Sequence, residues 1–277
     1  EKNTFGKGSG NADRSQNKHD HVKAPGEYAK IMLPELTFPY LIPGQEVLLD
    51  DGKIHLKIVE KAENVAENGG ENTQEKRYFA KVLWGGLLKS RKSAALPGAK
   101  IYPPTLTNSD LANIKIAKEM GVTGVMQPFV RDHSDVECVK EALREAGAED
   151  IRLFAKIENM DGVRKLEKRL PAADEIVIAR GDLGNAVHLW DLPGVQRQIS
   201  EKCRAAGKPF MVVTQMLASM ERSPVPTRAE VNDIFHAVMD GAASIMVTGE
   251  TAVGDYPVEV IRYMVNTVRS AEKEENR

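Results

Sequence analysis

A lysine and two carboxylates stand at the ends of two consecutive apolar segments of this sequence. Lys156 and Glu158 end the first segment, and Asp182 follows the second. Residues two apart in a strand point to the same face, so Lys156 and Glu158 share one side. If the two strands are parallel neighbours, Asp182 emerges at the same sheet edge. Two carboxylates beside one ammonium can hold a divalent cation and an anionic substrate, which is typical of phosphoryl-transfer sites.

The elements that must position these residues alternate between strand and helix in the C-terminal two thirds of the chain. Short apolar strands are predicted at 124–127, 151–157, 176–179, 210–213 and 244–247. Helical stripes separate them, and this repeat predicts parallel strands covered on both faces. Polar residues follow the strand ends, which favours a barrel with its active site at the carboxyl rim, although an open parallel sheet fits the pattern equally well.

Two of the helix starts are predicted from capping boxes, in which Ser or Thr precedes Glu by three residues. Ser134 with Glu137 predicts one start, and Thr227 with Glu230 predicts the other. The chain has no G-x-G-x-x-G motif after a strand and no G-x-x-x-x-G-K-[ST] loop. The sequence therefore argues against a nucleotide-binding fold of the Rossmann or P-loop kind.

The N-terminal third has a different pattern. Residues 1–30 are polar and contain several glycines, which predicts a loop or a frayed edge. Alternating apolar segments on either side of Asp50-Asp51-Gly52-Lys53 predict an antiparallel hairpin. We therefore expect two parts, a β-rich domain over residues 1–96 with an irregular N-terminus and a strand-helix portion over residues 97–277.

The composition is that of a globular protein without a strong net charge. The 277 residues are 42% hydrophobic and 28% charged, with 38 basic and 40 acidic side chains. No global field therefore favours nucleic acid or an acidic membrane surface, and no apolar segment approaches the roughly 20 residues of a membrane span. Cys138 and Cys203 form no C-x-x-C pair and are predicted to be buried apolar residues, which fits a reducing, cytoplasmic setting.

Five segments in a fixed order give the chain a specific resemblance. They are Ala155-Lys156-Ile157-Glu158-Asn159, Ala179-Arg180-Gly181-Asp182-Leu183-Gly184, Val213-Thr214-Gln215-Met216-Leu217-Ala218-Ser219-Met220, Pro226-Thr227-Arg228-Ala229-Glu230 and Thr248-Gly249-Glu250-Thr251-Ala252. Together they resemble the pyruvate kinase family. Earlier segments are also similar to that family, namely Leu49-Asp50-Asp51-Gly52, Lys92 before Leu96-Pro97-Gly98, and Phe129-Val130-Arg131.

The resemblance implies an α/β fold of the TIM (β/α)8 type, with a small β-rich lid inserted into the barrel. Only about five of the barrel strands can be drawn from this chain. It also implies a glycolytic reaction in which phosphoenolpyruvate and ADP give pyruvate and ATP. That reaction requires Mg2+ or Mn2+ and usually K+. We expect a homo-oligomer with no nucleic-acid or membrane partner.

The site residues follow from the same resemblance. Lys156 resembles the family's catalytic lysine, and Glu158 and Asp182 resemble its metal ligands. Thr214 is expected to take part in catalysis and to bind phosphoenolpyruvate through its hydroxyl. The backbone of Gly181 and Asp182 is expected to contact the same substrate, and Arg180 is added as a substrate-binding residue. Glu250 is left open between solvent and substrate.

The chain also departs from the family pattern. The family's first three barrel strands have no counterpart here. The K+ ligands of the family and an arginine that binds the phosphoryl group are therefore also without counterpart. A C-terminal regulatory domain is also without counterpart. We therefore expect the body of a longer enzyme whose N-terminal segment was lost. Pro128 stands where the family usually has Ser, and Asn185-Ala186-Val187 replaces a more acidic stretch.

Two other functions stay open at this level. One is a metal-dependent lyase or aldolase on a related phosphoenolpyruvate/pyruvate barrel, which a strict ADP requirement would exclude. The other is a catalytically incomplete fragment that only binds ligand. Mg2+-dependent binding of pyruvate or oxalate without turnover would favour that fragment.

Overall fold

The structure is a computed structural model that describes residues 29–62, 76–90, 92–168 and 172–275. The chain divides into two compact units, Glu1–Pro34 and Glu35–Arg277, and both β-sheets belong to the second. The loop predicted for residues 1–30 lies almost entirely outside the described residues. Among the residues described, no helix is both long and apolar enough to cross a membrane.

An antiparallel sheet precedes the helices. Its strands are β1 (Glu46–Leu49), β2 (Ile54–Lys61), β3 (Tyr78–Trp84) and β4 (Ala94–Ala95), in the order β3-β2-β1-β4. Leu49 pairs with Ile54 at the end of β1 and β2, so the predicted hairpin is confirmed. Its turn residues Asp50, Asp51 and Gly52 all have positive φ, at 49°, 57° and 82°. Asp and Gly suit such a turn because they tolerate the left-handed region.

A five-stranded parallel sheet follows, as the strand-helix repeat predicts. Its strands are β5 (Gly124–Gln127), β6 (Arg152–Ile157), β7 (Glu175–Ala179), β8 (Phe210–Val213) and β9 (Ser244–Met246), in sequential order. The helices are α1 (Asn108–Ala117), α2 (His133–Glu145), α3 (Met160–Arg164), α4 (Arg180–Ala186), α5 (Leu192–Ala205), α6 (Arg228–Met239), α7 (Gly249–Ala252) and α8 (Pro257–Glu275). Because all neighbours are parallel, the carboxyl ends of the strands meet at one edge.

Both faces of this sheet are covered by apolar contacts. Ile176 and Ile178 of β7 belong to the main core, which the helices complete. Val177 and Ala179 alternate with them and pack in a smaller cluster with β8 on the opposite face. The near-continuous apolar strands therefore have the burial expected of a parallel sheet.

One of the two predicted capping boxes is confirmed and the other is wrong. At α6, Thr227 Oγ1 accepts from Glu230 N and the Glu230 carboxylate accepts from Thr227 N, so this capping box is confirmed. At α2, the prediction from Ser134 and Glu137 is wrong. Asp132 is the N-cap there, and its carboxylate accepts from Ser134 N at 3.1 Å. A short Asp side chain two residues upstream therefore takes the role that the Ser spacing suggested.

The two cysteines have different surroundings. Cys203 is buried in the core, as predicted, and burial raises the pKa of its thiol to about 12. Cys138 is exposed on α2, so the prediction that it is buried is wrong. Its helix turns it outward because Val136 and Val139 occupy the inward stripe.

Candidate active site

Lys156 and Glu158 meet at the carboxyl end of β6. Lys156 Nζ lies 2.7 Å from Glu158 Oε1, and their side chains are 25% and 1% exposed. Their spacing of two residues places both on one face, as the strand periodicity predicts. Glu158 Oε2 accepts a second hydrogen bond, from the backbone N–H of Phe129 at 2.7 Å. The buried carboxylate is therefore held by an ammonium on one oxygen and an amide on the other.

Asp182 joins this pair from the next strand unit. It lies in the first turn of α4, which begins directly after β7, the parallel neighbour of β6. Burial, followed by the negative charge of Glu158, raises the pKa of the Asp182 carboxyl, while Lys156 opposes the rise. These interactions place the two carboxylates and the ammonium within electrostatic reach of one another.

Thr214 stands directly after β8 in a strained backbone conformation. Its φ is 84°, and that of Gln215 is 54°. A positive φ in a β-branched residue is a genuine outlier, and such strain costs about 1–3 kcal/mol. Gly181 lies beside it, and a Cβ there would come 3.1 Å from Thr214 Cγ2, so the Thr214 side chain would have to shift by a few tenths of an ångström. The predicted substrate-contacting positions Gly181 and Thr214 are thus close neighbours.

Backbone strain is concentrated around these residues. The described non-glycine residues with positive φ are Asp50, Asp51, Phe129, Thr214 and Gln215. Phe129 supplies the amide to Glu158, Asp51 acts electrostatically on Asp182, and Thr214 contacts Gly181. Such clustering is typical of sites where the surrounding structure fixes functional groups.

Arg180 is held by protein groups on every side of its guanidinium. Nη1 donates to Asp233 Oδ2 at 2.6 Å, and Nε and Nη2 donate to the carbonyl oxygen of Thr214 at 3.2 and 2.7 Å. Nη2 also lies 2.8 Å from Met216 Sδ. These contacts connect Arg180 to the loop that contains Thr214. Its expected role in binding substrate stays a prediction.

Glu250 holds two loops together. It is buried, with Oε1 accepting from Leu217 N at 3.1 Å and Oε2 accepting from Thr248 N at 2.8 Å. Both lone-pair sets therefore point at backbone amides of the loops after β8 and β9. This geometry favours a role for Glu250 in positioning the two loops, rather than contact with solvent or with substrate, which are the two roles that the sequence left open.

The hairpin of the antiparallel sheet reaches the same edge. Asp51 is one of the charges that raise the pKa of Asp182. A Cβ at Gly52 would lie 3.5 Å from Asn185 Oδ1 on α4. Lys92 Nζ lies 2.8 Å from Asp50 Oδ1, and Ser93 Oγ donates to Asp51 Oδ1 at 2.7 Å. The β-rich part therefore contributes charges beside the candidate site.

The donor set fits a hard divalent cation. Among the described residues, no group of three or more His, Cys, Asp and Glu side chains could hold a metal ion. Glu158 and Asp182 nevertheless supply two neighbouring carboxylates, and the mutual repulsion at Asp182 is what a cation would relieve. Mg2+ usually takes one or two carboxylates and fills its shell with water and anionic substrate oxygens.

Several contributors were missed by sequence reasoning. The backbone N–H of Phe129 carries no side-chain signal, and Asp233 lies in the middle of α6 outside the motifs that the sequence analysis singled out. The negative charge of Asp51 near Asp182 was also missed. Phe129 and Asp51 both had a usable signal, because each lies in a segment that resembles the family, whereas Asp233 had none.

Comparison with known proteins shows the family of this chain. The family model described as pyruvate kinase, barrel domain, matches residues 16–261. The chain belongs to the pyruvate kinase family. Pyruvate kinases of Bacillus licheniformis and Geobacillus stearothermophilus are 39% and 40% identical over 230 and 233 residues, in both cases 83% of this chain and 38% of the relative.

A third pyruvate kinase gives the same result. The Clostridium acetobutylicum protein is 36% identical over 234 residues, which is 84% of this chain and 47% of the relative. The chain therefore spans less than half of the length of these curated relatives. The family assignment favours the pyruvate kinase reading over the lyase or aldolase alternative.

Proposed function

We propose that this chain carries the catalytic face of a pyruvate kinase, which transfers the phosphoryl group of phosphoenolpyruvate to ADP. The observation that carries this proposal is the Lys156–Glu158 pair at the carboxyl edge of the parallel sheet, with Asp182 beside it. An ammonium and two carboxylates at that edge suit a reaction in which negative charge moves between phosphate and enolate.

Lys156 is proposed as the catalytic group. Its ammonium can neutralise charge on the transferring phosphoryl group and on the enolate oxygen, since it stands on the same face as Glu158 and is partly exposed. Bound Mg2+ would supply charge neutralisation at the phosphate and carboxylate oxygens, with Glu158 and Asp182 as its protein ligands. Mn2+ could take the same place. K+ is proposed from the family alone.

Thr214 and Gly181 are proposed to bind the substrate. The strained backbone at Thr214 fixes its hydroxyl beside Gly181, where it can donate to the carboxylate of phosphoenolpyruvate. The backbone N–H groups of Gly181 and Asp182 lie in the first turn of α4 and can donate to the same ligand. Arg180 is also proposed to bind the substrate, although its contacts with Asp233 and with the Thr214 carbonyl oxygen favour a role in holding the Thr214 loop.

The same proposal extends to organisation and setting. Residues 1–96 would act as the lid domain and residues 97–277 as the barrel portion, with the hairpin at Asp51 approaching the site. Closure of such a lid would exclude water and limit hydrolysis. ADP and ATP are the proposed nucleotides, the assembly is a homo-oligomer, and the setting is cytoplasmic.

Pyruvate release from phosphoenolpyruvate tests the proposal directly. We expect release from the 277-residue chain only when both ADP and Mg2+ are present. Lys156→Met should lower the rate by about 1000-fold or more, because a charge-stabilising group at the reacting atoms is removed.

The matched control is another lysine–carboxylate pair remote from the sheet's carboxyl edge. Lys118 Nζ lies 3.2 Å from Asp150 and donates to the carbonyl of Gly147, in the loop that precedes β6. Lys118→Met should keep full turnover. ADP-independent release would replace the kinase with a lyase, and Mg2+-dependent oxalate binding without turnover would leave a ligand-binding fragment.

A further inference from the structure

The loop after β8 needs an external restraint. Thr214 and Gln215 both have positive φ, and neither is a glycine. A strained conformation of this kind persists only when neighbouring groups over-determine it. The identity of those groups therefore decides how accurately the Thr214 hydroxyl is placed.

Arg180 is the restraint on one side of the loop. Two of its nitrogens donate to the Thr214 carbonyl oxygen, at 3.2 and 2.7 Å, and one of these also lies 2.8 Å from Met216 Sδ. Glu250 restrains the other side through Leu217 N. The carbonyl of Thr214 is fixed by a fork of charge-assisted hydrogen bonds, which are the strong kind.

Asp233 orients that fork. Its Oδ2 accepts from Arg180 Nη1 at 2.6 Å, and the side chains of the two residues are 34% and 13% exposed. Asp233 sits in α6, whose start is fixed by the Thr227–Glu230 capping box. Glu230 also accepts from Ser219 N at 2.7 Å, which ties α6 to the end of the same loop. The helix is therefore a fixed base for the Asp233 carboxylate.

We propose that Asp233 is a positioning residue of the active site, acting through Arg180 to hold the strained Thr214 loop. The inference rests on the proposed function, because the loop matters for turnover only if Thr214 contacts substrate. Without the carboxylate, Arg180 keeps its charge but loses the partner that orients its plane. The fork would then reorient toward water, and the Thr214 carbonyl would lose its two donors.

The first experiment measures the loop without reference to activity. Hydrogen exchange of the Leu217 amide, which donates to Glu250, reports opening of the loop. Asp233→Asn keeps the shape of the side chain and removes its charge, and we expect exchange to be about tenfold faster. Asp233→Glu, which retains the carboxylate, should restore much of the protection.

The second experiment measures turnover of the same proteins. Asp233→Asn should lower kcat by about 10- to 100-fold with little change in KM for phosphoenolpyruvate, because misplacement of a reacting group acts on the transition state. Asp233→Glu should recover much of the loss. Glu201→Gln is the matched control, since it removes the carboxylate of an exposed arginine–carboxylate pair on α5, that of Arg197 and Glu201, and leaves Arg180 and α6 unchanged.

The outcomes separate the two proposals. Unchanged Leu217 exchange in Asp233→Asn, or equal acceleration in Glu201→Gln, would overturn the positioning role whether or not the chain turns over. Faster exchange with unchanged kcat would also overturn it. Absence of turnover in the unsubstituted chain would instead count against the proposed function, and the exchange measurement would still decide whether Asp233 holds the loop.

Discussion

The parallel and antiparallel sheets each hold a lysine against a carboxylate, and the two pairs have similar lengths. Lys156 Nζ lies 2.7 Å from Glu158, and Lys92 Nζ lies 2.8 Å from Asp50. Their surroundings differ, since Glu158 is 1% exposed while Asp50 is 13% exposed and its lysine 38%. The same chemical pair is therefore desolvated in one region and open to water in the other.

The difference follows from how each sheet is covered. Every residue of β7 and β8 is buried between two apolar layers, whereas β3 at the edge of the antiparallel sheet is exposed along nearly its whole length. Water screens the pair at the hairpin, so its contribution to stability is small. The Lys156–Glu158 pair is screened less by water, and both of its charges act on the pKa of Asp182, which Glu158 raises and Lys156 lowers.

The test with the largest expected effect replaces the lysine of each pair by methionine. Lys156→Met leaves the buried Glu158 without its ammonium, and we expect the free energy of unfolding to fall by about 3 kcal/mol without Mg2+. Added Mg2+ should recover part of that loss. Lys92→Met should leave the urea midpoint unchanged. Equal midpoint shifts in the two variants would show that burial does not distinguish the pairs.

A second test uses one glycine from each region. Gly181→Ala places a Cβ 3.1 Å from Thr214 Cγ2, so we expect kcat to fall about 10- to 100-fold with stability nearly unchanged. Gly52→Ala instead forces a Cβ onto a backbone with φ of 82°, which should cost about 1–2 kcal/mol of stability. Steady-state kinetics and urea unfolding of both variants separate crowding from backbone strain.

Gly194 supplies the control for both substitutions. It lies inside α5 with no atom within 4 Å of its Cβ position, so Gly194→Ala should raise stability by up to about 1 kcal/mol. Turnover should not change. A loss of turnover in this variant would mean that alanine substitution can impair turnover without crowding Thr214.

A third test addresses the segment that joins the two sheets. Arg131 binds Asp135 through Nη2 at 2.6 Å and Nε at 3.0 Å, and its Nη1 donates to the carbonyl of Pro103 in the connection. Asp135→Asn should lower the free energy of unfolding by about 2 kcal/mol at neutral pH, because charge-assisted hydrogen bonds to a buried group are lost. Asp150→Asn, in an exposed pair, is the control.

The dependence of stability on pH in Asp135→Asn tests the direction of the pKa shift of Asp135. Burial alone would raise the pKa of Asp135, but hydrogen bonds from Arg131 and Thr105 prevail and lower it from 3.8 to about 2. The stabilisation is therefore complete above about pH 4 and is lost as the pH falls toward 2. Asp135→Asn should lack this part of the stability profile, measured by urea unfolding across that range. An unchanged acid profile would contradict the assignment.

The smallest effect concerns the negative charge that Asp51 of the hairpin adds beside the proposed Mg2+ ligands Glu158 and Asp182. Burial, Glu158 and Asp51 raise the pKa of Asp182, and the carboxylate must be ionised to bind a cation. Mg2+ affinity should therefore increase as the pH rises through that raised pKa. Asp51→Asn should move the increase to lower pH, as followed by calorimetric titration. Asp150→Asn should not move it, and a shift in that control would indicate a non-local cause.

Local sequence patterns account for the elements and for part of the site. The strand-helix repeat predicts the five parallel strands, and the spacing of two residues predicts the shared face of Lys156 and Glu158. Thr227 and Glu230 predict the start of α6. The capping prediction at Ser134 fails because the helix begins two residues earlier, where the Asp132 carboxylate accepts from Ser134 N, a choice that spacing alone does not decide.

The candidate residues and the strands that carry them could be predicted from the chain alone, because helix and strand periodicities are local properties. The contact of Arg180 with Asp233 on α6, the hydrogen bond from the Phe129 amide to Glu158 and the effect of the Asp51 charge on Asp182 depend on the folded arrangement. Contacts of this kind arise when packed elements bring remote segments together. They result from the arrangement of the sheets and helices, and the local sequence around each residue does not indicate them.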